Sequence, residues 1–247
     1  MLYICAVKVC YLTVVSEKTK KIIDLSASLS EVWRILSEEE RVKLRNNAKI
    51  LTYKKNEIIY CEGDEPRDMM CLLKGKVKIY IDGVGGRSQI IRMIKPVQYF
   101  AYRAAFAQEP YLTNASAFEN SIVCIIPMMI VEELIYGNPD LSMFFIRQLS
   151  RDLGIADERT VNLTQKHIRG RIAESLLFLR DSYGVEEDGA TINVYLSRED
   201  LASLSNMTTS NAIRTLSMFA AERIIAMNGR KIKIIDEELL RRVSIRG

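Results

Sequence analysis

The segment 197–235 constrains the fold of this chain most, because it predicts two short helices, a tight turn and a β-hairpin in immediate succession. Ser197 stands at the N-cap of the first helix, where its side-chain oxygen can accept a hydrogen bond from a backbone amide. The second helix is predicted at 208–219, after a short polar turn. Two apolar runs then flank Asn228-Gly229, and this dipeptide is the strongest short-range hairpin signal. The pattern predicts a winged helix-turn-helix.

The second helix of this unit leaves a polar face outside its apolar core, which we assign to residues that include Leu204, Ala212, Ile213 and Leu216. Short hydrogen-bonding side chains and an arginine at a helix N-terminus suit contacts with phosphates and base edges. The cations of the predicted wing suit the flanking DNA backbone. The residues expected to contact double-stranded DNA are Ser197, Thr208, Thr209, Ser210, Asn211, Arg214, Arg230 and Lys231.

In residues 51–126, short runs of β-branched and aromatic residues alternate with glycine turns. This pattern is typical of a small antiparallel roll or sandwich. In the segment 76–81 polar and apolar residues alternate, so that Val77 and Ile79 fall on one face. We expect Gly85-Gly86 to provide the positive φ angles of a hairpin turn after this strand.

A long helix is predicted from Asn138-Pro139, with asparagine as N-cap and proline at the first helical position. Its apolar stripe runs for about 25 residues, or about 38 Å at the α-helical rise. A long helix with a narrow apolar stripe usually pairs with another helix, although packing on its own β-domain is the alternative. The residues expected in a dimer interface are Leu141, Phe145, Leu149, Leu153 and Ala156.

Composition excludes several classes of function. The net charge of +4 is compatible with a nucleic-acid partner without requiring one. The five cysteines include no C-x-x-C pair and His167 is the single histidine, so a zinc site built from several imidazoles is excluded. The sequence has no glycine-rich phosphate loop and no nucleophile–base pair, so we expect no enzyme. We predict reduced thiols in a cytoplasmic protein. The apolar stretch 2–15 is too short for a membrane span, which needs about 20 residues.

The C-terminal motif 196–202, followed by Arg214 and the Asn228-Gly229 hairpin, resembles the DNA-binding signature of the CRP/FNR regulators. That family is named for the cyclic-AMP receptor protein and its anaerobic relative. Upstream, Glu62-Gly63-Asp64, 73–77 and 115–117 resemble its cyclic-nucleotide-binding roll. The resemblance implies an α+β fold with an N-terminal antiparallel β-roll of the double-stranded β-helix or jelly-roll type, a long dimerisation helix and a C-terminal winged helix-turn-helix. The implied boundaries are 1–29 for an N-terminal extension, 30–137 for a cyclic-nucleotide-binding-like effector domain, 138–165 for the dimerisation helix and 166–247 for the DNA-binding domain.

The chain departs from the family pattern at the nucleotide pocket. Nucleotide-binding members carry a glutamate for the ribose hydroxyl, and Tyr102 stands in that place here. They also carry an arginine for the cyclic phosphate, whereas Leu112, Thr113 and Asn114 include no cation. Without that arginine a buried phosphate loses a charge-assisted pair of about 1.5–3 kcal/mol. We therefore expect no cyclic AMP in the usual mode, no cofactor, and an unknown small-molecule effector at most. The candidate effector pocket is Phe100, Ala101, Tyr102, Arg103, Thr113 and Asn114.

The resemblance implies a bacterial homodimer that binds a palindromic operator, with RNA polymerase as a further partner and no membrane. Arg214 is expected to reach a guanine, whereas Thr209 and Ser210 replace the arginine and glutamate of many members. Asn206 replaces the usual glycine of the turn and tolerates a left-handed φ.

Two alternatives stay open. One is a ligand-binding regulatory module that acts on a protein partner. The other is an iron–sulfur or thiol sensor of the same fold, with Cys5, Cys10, Cys61 and Cys124 as ligands.

Overall fold

The computed structural model describes residues 29–83 and 88–246. The elements before the long helix are α1 (Ser30–Ile35), α2 (Glu38–Asn47), β1 (Lys49–Tyr53), β2 (Ile58–Tyr60), β3 (Asp68–Lys74), β4 (Val77–Asp82), β5 (Ser88–Ile94), β6 (Tyr99–Phe100), α3 (Tyr102–Phe106), β7 (Asn114–Ala117), β8 (Ser121–Pro127) and α4 (Met128–Gly137). The remaining elements are α5 (Pro139–Gln165), α6 (Ile168–Tyr183), α7 (Arg198–Leu204), α8 (Thr209–Ala221), β9 (Ile225–Asn228), β10 (Lys231–Ile234) and α9 (Glu237–Arg246). This order of elements confirms the predicted fold class.

The contacts divide the chain into two compact units. Within the described residues, the first unit contains residues 29–77 together with Pro96–Ser142, and the second contains the described part of 78–95 together with residues 143–246. In the first unit, β1, β8, β3 and β6 form one antiparallel sheet in that order, and β2 pairs with β7. In the second unit, the β4–β5 hairpin belongs with the long helix and the C-terminal block.

Two side-chain caps explain where α2 and α5 begin. Ser37 and Glu40 form a capping box at the start of α2, in which the Glu40 carboxylate accepts from the Ser37 amide at 2.7 Å. Asn138 caps α5, because its Oδ1 accepts from the Leu141 amide at 3.1 Å. Helix α5 is continuous over 27 residues, through Gly154, as the apolar stripe predicts.

The structure shows why the roll motif 73–77 has a glycine at position 75. Its φ is +92°, a conformation that L side chains rarely adopt. A Cβ at this position would lie 2.4 Å from Ser121 Oγ and 2.6 Å from the Asn120 carbonyl oxygen. Glycine is therefore required here both by backbone conformation and by the close approach of the β8 segment.

One local prediction for the C-terminal block is wrong. The hairpin loop is shifted by one residue, since Asn228 pairs with Lys231 and the loop is therefore Gly229-Arg230. This register pairs Met227 with Ile232 and keeps the charged Arg230 off the apolar face of the hairpin.

The expectations for the stretch 2–15, for Cys5 and Cys10 and for Gly85-Gly86 lie outside the described residues. Among the helices that the structure describes, none combines the length and the apolar character needed to span a membrane.

Candidate nucleic-acid interface

Helices α7 and α8 pack around a small, fully enclosed apolar core. Ser197 caps α7 in a capping box with Asp200, whose amide donates to Ser197 Oγ at 3.0 Å. Leu201, Leu216 and Phe219 are completely buried between the helices of the block. This core fixes α8 and determines which of its faces remains outside.

The turn between the two helices depends on Asn206. Its φ is +50°, so the prediction of a left-handed conformation at this residue is confirmed. Its carbonyl oxygen accepts from the Arg171 guanidinium of α6 at 2.9 Å. The third helix of the block therefore holds the turn in place.

Two substitutions of Asn206 test the energetic cost of its positive φ. We expect Asn206→Ala to lower the free energy of unfolding by about 1 kcal/mol, because alanine is strained at positive φ. Asn206→Gly should leave it within about 0.5 kcal/mol of the parent, because glycine adopts this φ freely. Urea denaturation followed by circular dichroism measures both. Equal stability of the two variants would contradict the strain argument.

The outer face of α8 is exposed and polar at its N-terminal end. Thr208, Thr209, Ser210 and Arg214 are exposed, and Asn211 is half-buried. Thr208 caps the helix, because its hydroxyl accepts from the Asn211 amide at 3.3 Å. Arg214 donates to Asn211 Oδ1 at 3.0 Å, which holds the guanidinium along the outer face.

One core assignment on this helix is wrong. Ile213 is 47% exposed and lies on the outer face next to Arg214. Ser217 and Met218, which were not among the predicted DNA contacts, are also exposed and extend the same face by one turn. The helical spacing of 213, 214, 217 and 218 could have shown this, because these positions recur on one side of a helix. An apolar side chain on this face suits contact with a thymine methyl group.

The two predicted cations of the wing, Arg230 and Lys231, have different surroundings. Arg230 is exposed in the hairpin loop. Lys231 is paired with Glu186 at 2.9 Å. The loop itself is held by Arg198 of α7, which donates to the Gly229 carbonyl oxygen at 3.0 Å. The Ser197 hydroxyl donates to Asp200 Oδ2 at 2.6 Å, so it is engaged in capping its helix.

Three side chains of the second unit fasten α7 to the β4–β5 hairpin. The Ser203 hydroxyl donates to the Ser88 carbonyl oxygen at 2.7 Å and accepts from the Ile90 amide at 2.9 Å. Lys78 pairs with Asp200 at 3.1 Å. Arg159 of α5 donates both to the Ile90 carbonyl oxygen at 2.7 Å and to that of Leu204 at 3.0 Å.

Burial lowers the pKa of the Arg159 guanidinium from its ordinary value. Arg159 also donates to the Ile91 carbonyl oxygen, and its three hydrogen bonds satisfy backbone groups of both α7 and the hairpin edge. Helix α7, and with it α8, is therefore oriented by the hairpin and by the long helix.

Three of the six candidate effector residues of the first unit are buried. Phe100 and Tyr102 are buried, and Ala101, also buried, has a φ of +70°. Arg103 is half-exposed and lies 3.6 Å from Glu109. The Tyr102 ring packs edge-on against Phe106, with centroids 5.8 Å apart.

Thr113 and Asn114 are engaged by the neighbouring chain segments. Thr113 Oγ1 is 3.4 Å from the hydroxyl of Tyr60, whose ring stacks on Tyr111 at 3.9 Å. Asn114 Oδ1 accepts from the Glu62 amide at 2.9 Å. These two residues therefore organise the roll around the motif Glu62-Gly63-Asp64.

Two of the three described cysteines, Cys71 and Cys124, lie in surroundings that disfavour metal ligation, whereas Cys61 is half-buried. Cys71 and Cys124 are register partners on β3 and β8 and both are completely buried. Burial raises the pKa of the Cys124 thiol to about 12 and that of Cys71 in the same direction. Metal ligation requires the thiolate, which these surroundings disfavour. Within 29–83 and 88–246, His, Cys, Asp and Glu form no group of three that could hold a metal ion.

The predicted dimer residues divide into two sets. Leu141 and Phe145 are almost fully buried within the chain itself, and Leu149 is half-buried. Leu153 is 63% exposed and Ala156 is exposed. Four further apolar residues of α5, outside the predicted interface, are also exposed: Met143, Ile146, Ile155 and Val161.

Comparison with known proteins agrees with this geometry. The cyclic nucleotide-binding domain family matches residues 50–138, and the Crp-like helix-turn-helix domain family matches residues 170–243. A CRP-like cAMP-activated global transcriptional regulator of Mycobacterium tuberculosis is 24% identical over 191 residues, which are 77% of this chain and 85% of that protein. Electron transport regulator A of Shewanella oneidensis is 26% identical over 187 residues, which are 75% and 74% of the two chains.

Solved structures share the fold. FixK2 from Bradyrhizobium japonicum superposes with a TM-score of 0.72 at 21% identity, over 79% of this chain and 96% of its own. The two matched domains lie where the sequence motifs and the roll and helix-turn-helix geometry place them. The chain therefore belongs to the CRP/FNR family of transcription regulators, which is composed of regulators and not of enzymes.

Proposed function

We propose that this protein is a homodimer that binds a palindromic operator sequence-specifically through α8. The observation that carries the proposal is the exposed face of α8, on which Arg214 and short polar side chains surround the helix N-terminus. A helix of this kind enters the major groove with its N-terminal residues at the base edges. In a two-fold dimer two such helices enter successive major grooves about 34 Å apart. The DNA contacts we propose are those predicted above, extended by Ile213 and Ser217.

The proposed dimer contact is the exposed apolar side of α5. Ile146 and Leu153 are spaced by seven residues, the repeat with which paired helices bury their contacts. Leu141 and Phe145 belong to the interior of the chain and support the helix from the other side. The proposed interface is therefore narrower than the predicted one and is displaced around the helix.

We propose that no cyclic nucleotide binds in the usual mode. Tyr102 is buried and occupies the place of the family's glutamate, and the next residue, Arg103, is at the surface beside Glu109. The buried, high-pKa thiols of Cys71 and Cys124 likewise argue against redox sensing at those two residues. An operator-binding regulator of this type works with RNA polymerase in the bacterial cytoplasm, and both are part of the proposal.

Selection of bound fragments from random duplex DNA, with and without reductant, tests the proposed function. We expect one enriched motif with two-fold symmetry and half-sites about 10 base pairs apart from centre to centre. Oxidation of Cys71 and Cys124 should not alter the motif, because both are buried, and a motif that depends on reductant would point to the other three cysteines. Enrichment without symmetry would contradict the dimer, and no enrichment would contradict sequence-specific binding.

A further inference from the structure

The loop between α6 and α7 lies beside the wing because their backbones pair. The Ile192 amide donates to the Ile232 carbonyl oxygen at 2.9 Å, and the Ile234 amide donates to that of Ala190 at 3.0 Å. The Glu186 amide in turn donates to the Thr191 carbonyl oxygen at 2.7 Å. This short pairing brings the acidic loop residues next to the lysines of β10.

Glu186 holds Lys231 from two directions. Its carboxylate accepts from Lys231 Nζ at 2.9 Å and also from the hydroxyl of Tyr195. The same ammonium group lies 5.2 Å from the centroid of the Tyr195 ring, within reach of a cation–π interaction. The hydrogen bonds from Tyr195 and Lys231 lower the pKa of the Glu186 carboxyl, so it stays ionised at neutral pH.

The neighbouring Asp188 has a different role. It accepts from the amides of Ala190 and Thr191 at 3.0 and 2.8 Å, and these bonds shape the loop. It lies 3.2 Å from Lys233 Nζ as well. Glu187, between the two, is exposed. The Glu186 carboxylate therefore accepts its side-chain hydrogen bonds from Lys231 and Tyr195. The Asp188 carboxylate, in contrast, mainly stabilises the backbone of the loop.

The pair between Lys231 and Glu186 is accessible to a competing anion. The Lys231 side chain is 50% exposed and that of Glu186 is 25% exposed. Exposed ion pairs of this kind are weak, so a phosphate can replace the carboxylate when the geometry brings it close. Because the lysine is neutralised in the free protein, the wing presents less positive charge to DNA than its sequence indicates.

We propose that Glu186 is a specificity-determining residue, which competes with DNA phosphates for Lys231 and so restrains binding to arbitrary sequences. The inference rests on the proposed function, in which the wing contacts the DNA backbone. In complexes with random DNA, Lys231 stays on Glu186. In the operator complex, the base contacts of α8 hold the wing against the backbone, and a phosphate displaces the carboxylate. Glu186 therefore widens the ratio between operator and random affinities.

The test compares Glu186→Gln with Glu187→Gln, which removes the same charge one residue away. Fluorescence anisotropy with a random-sequence duplex is measured over a range of salt concentrations. We expect Glu186→Gln to raise the affinity for random DNA about two- to fivefold, the range that corresponds to one exposed ion pair. The slope of log affinity against log salt should steepen by about 0.9, because one further phosphate is neutralised. Glu187→Gln should leave this slope unchanged.

A double variant identifies the partner of Glu186. In a Lys231→Gln background, Glu186→Gln should give no gain in random affinity and no change of slope. Tyr195→Phe, which removes one hydrogen bond to the carboxylate and keeps its charge, should shift random affinity in the same direction as Glu186→Gln. It also provides a second variant if Glu186→Gln disturbs folding, which circular dichroism would detect.

Two outcomes would overturn the inference: equal behaviour of Glu186→Gln and Glu187→Gln, or a gain that persists without Lys231. Failure of the parent protein to bind any duplex would instead remove the proposed function itself. If the parent binds an operator while the two glutamine variants are alike, the proposed function stands and the role of Glu186 falls.

Discussion

Leu153→Glu should convert the protein to a monomer and lower its affinity for a palindromic operator by about 10²–10⁴, the gain that linking two binding modules provides. Leu153 is 63% exposed on α5, so within one chain the glutamate meets solvent and the fold is retained. In a two-fold pair of helices, by contrast, the substitution places two like charges in an apolar contact, where each loses its hydration. Size-exclusion chromatography with light scattering measures the mass, and anisotropy with an operator duplex measures the affinity.

Met129→Glu is the matched control for this experiment. Met129 is 73% exposed on α4, so the control introduces the same charge in place of an exposed apolar side chain outside α5. We expect it to stay dimeric and to bind the operator as the parent does. A dimeric Leu153→Glu with parental affinity would show that the exposed side of α5 is not the dimer contact.

Arg214→Ala should lower the operator affinity by about 1–3 kcal/mol, or about fivefold to 150-fold, and leave the affinity for random DNA nearly unchanged. Arg214 is exposed on the outer face of α8 and its guanidinium is held by Asn211 Oδ1 at 3.0 Å. A guanidinium presented in this way can donate two hydrogen bonds to the O6 and N7 of a guanine. Parallel titrations of an operator and a random duplex at one salt concentration measure the ratio.

Two variants make the Arg214 result interpretable. Arg242→Ala removes an exposed arginine from α9, and we expect it to change both affinities little. Lys231→Ala should weaken operator binding through the loss of a phosphate contact, with a reduced salt slope and without relaxed base preference. If Arg214→Ala left the operator-to-random ratio untouched, the assignment of Arg214 to base recognition would be wrong.

Local physical chemistry made much of the C-terminal block predictable from sequence. The N-cap at Ser197, the left-handed residue Asn206 and the exposed Arg214 all follow from interactions within a few residues of chain. The same holds for the start of α5 at Pro139, where Asn138 caps the helix. Such features depend on backbone conformation and short-range hydrogen bonds, which residue types indicate directly.

Other features depended on which neighbour covers a side chain. Periodicity marked the apolar residues of α5, but it could not tell that Phe145 is covered by its own chain whereas Leu153 is left outside. It also assigned Ile213 to the core, although α8 already fills that core with Leu216 and Phe219. An apolar stripe shows that a face is to be buried and does not identify the element that buries it.

The sequence by itself determined the class of this protein, because the order of a β-roll, a long capped helix and a winged helix-turn-helix is encoded by local patterns. Only the tertiary structure decided which contacts orient the DNA-binding block and which of its cations are paired with acidic residues. The Ser203 hydroxyl accepts a hydrogen bond from the Ile90 amide of β5, which is 113 residues away in the sequence. Glu186 likewise pairs with Lys231, which is 45 residues away in the sequence. These pairs join groups that no local pattern connects, since they meet only after the elements between them have packed.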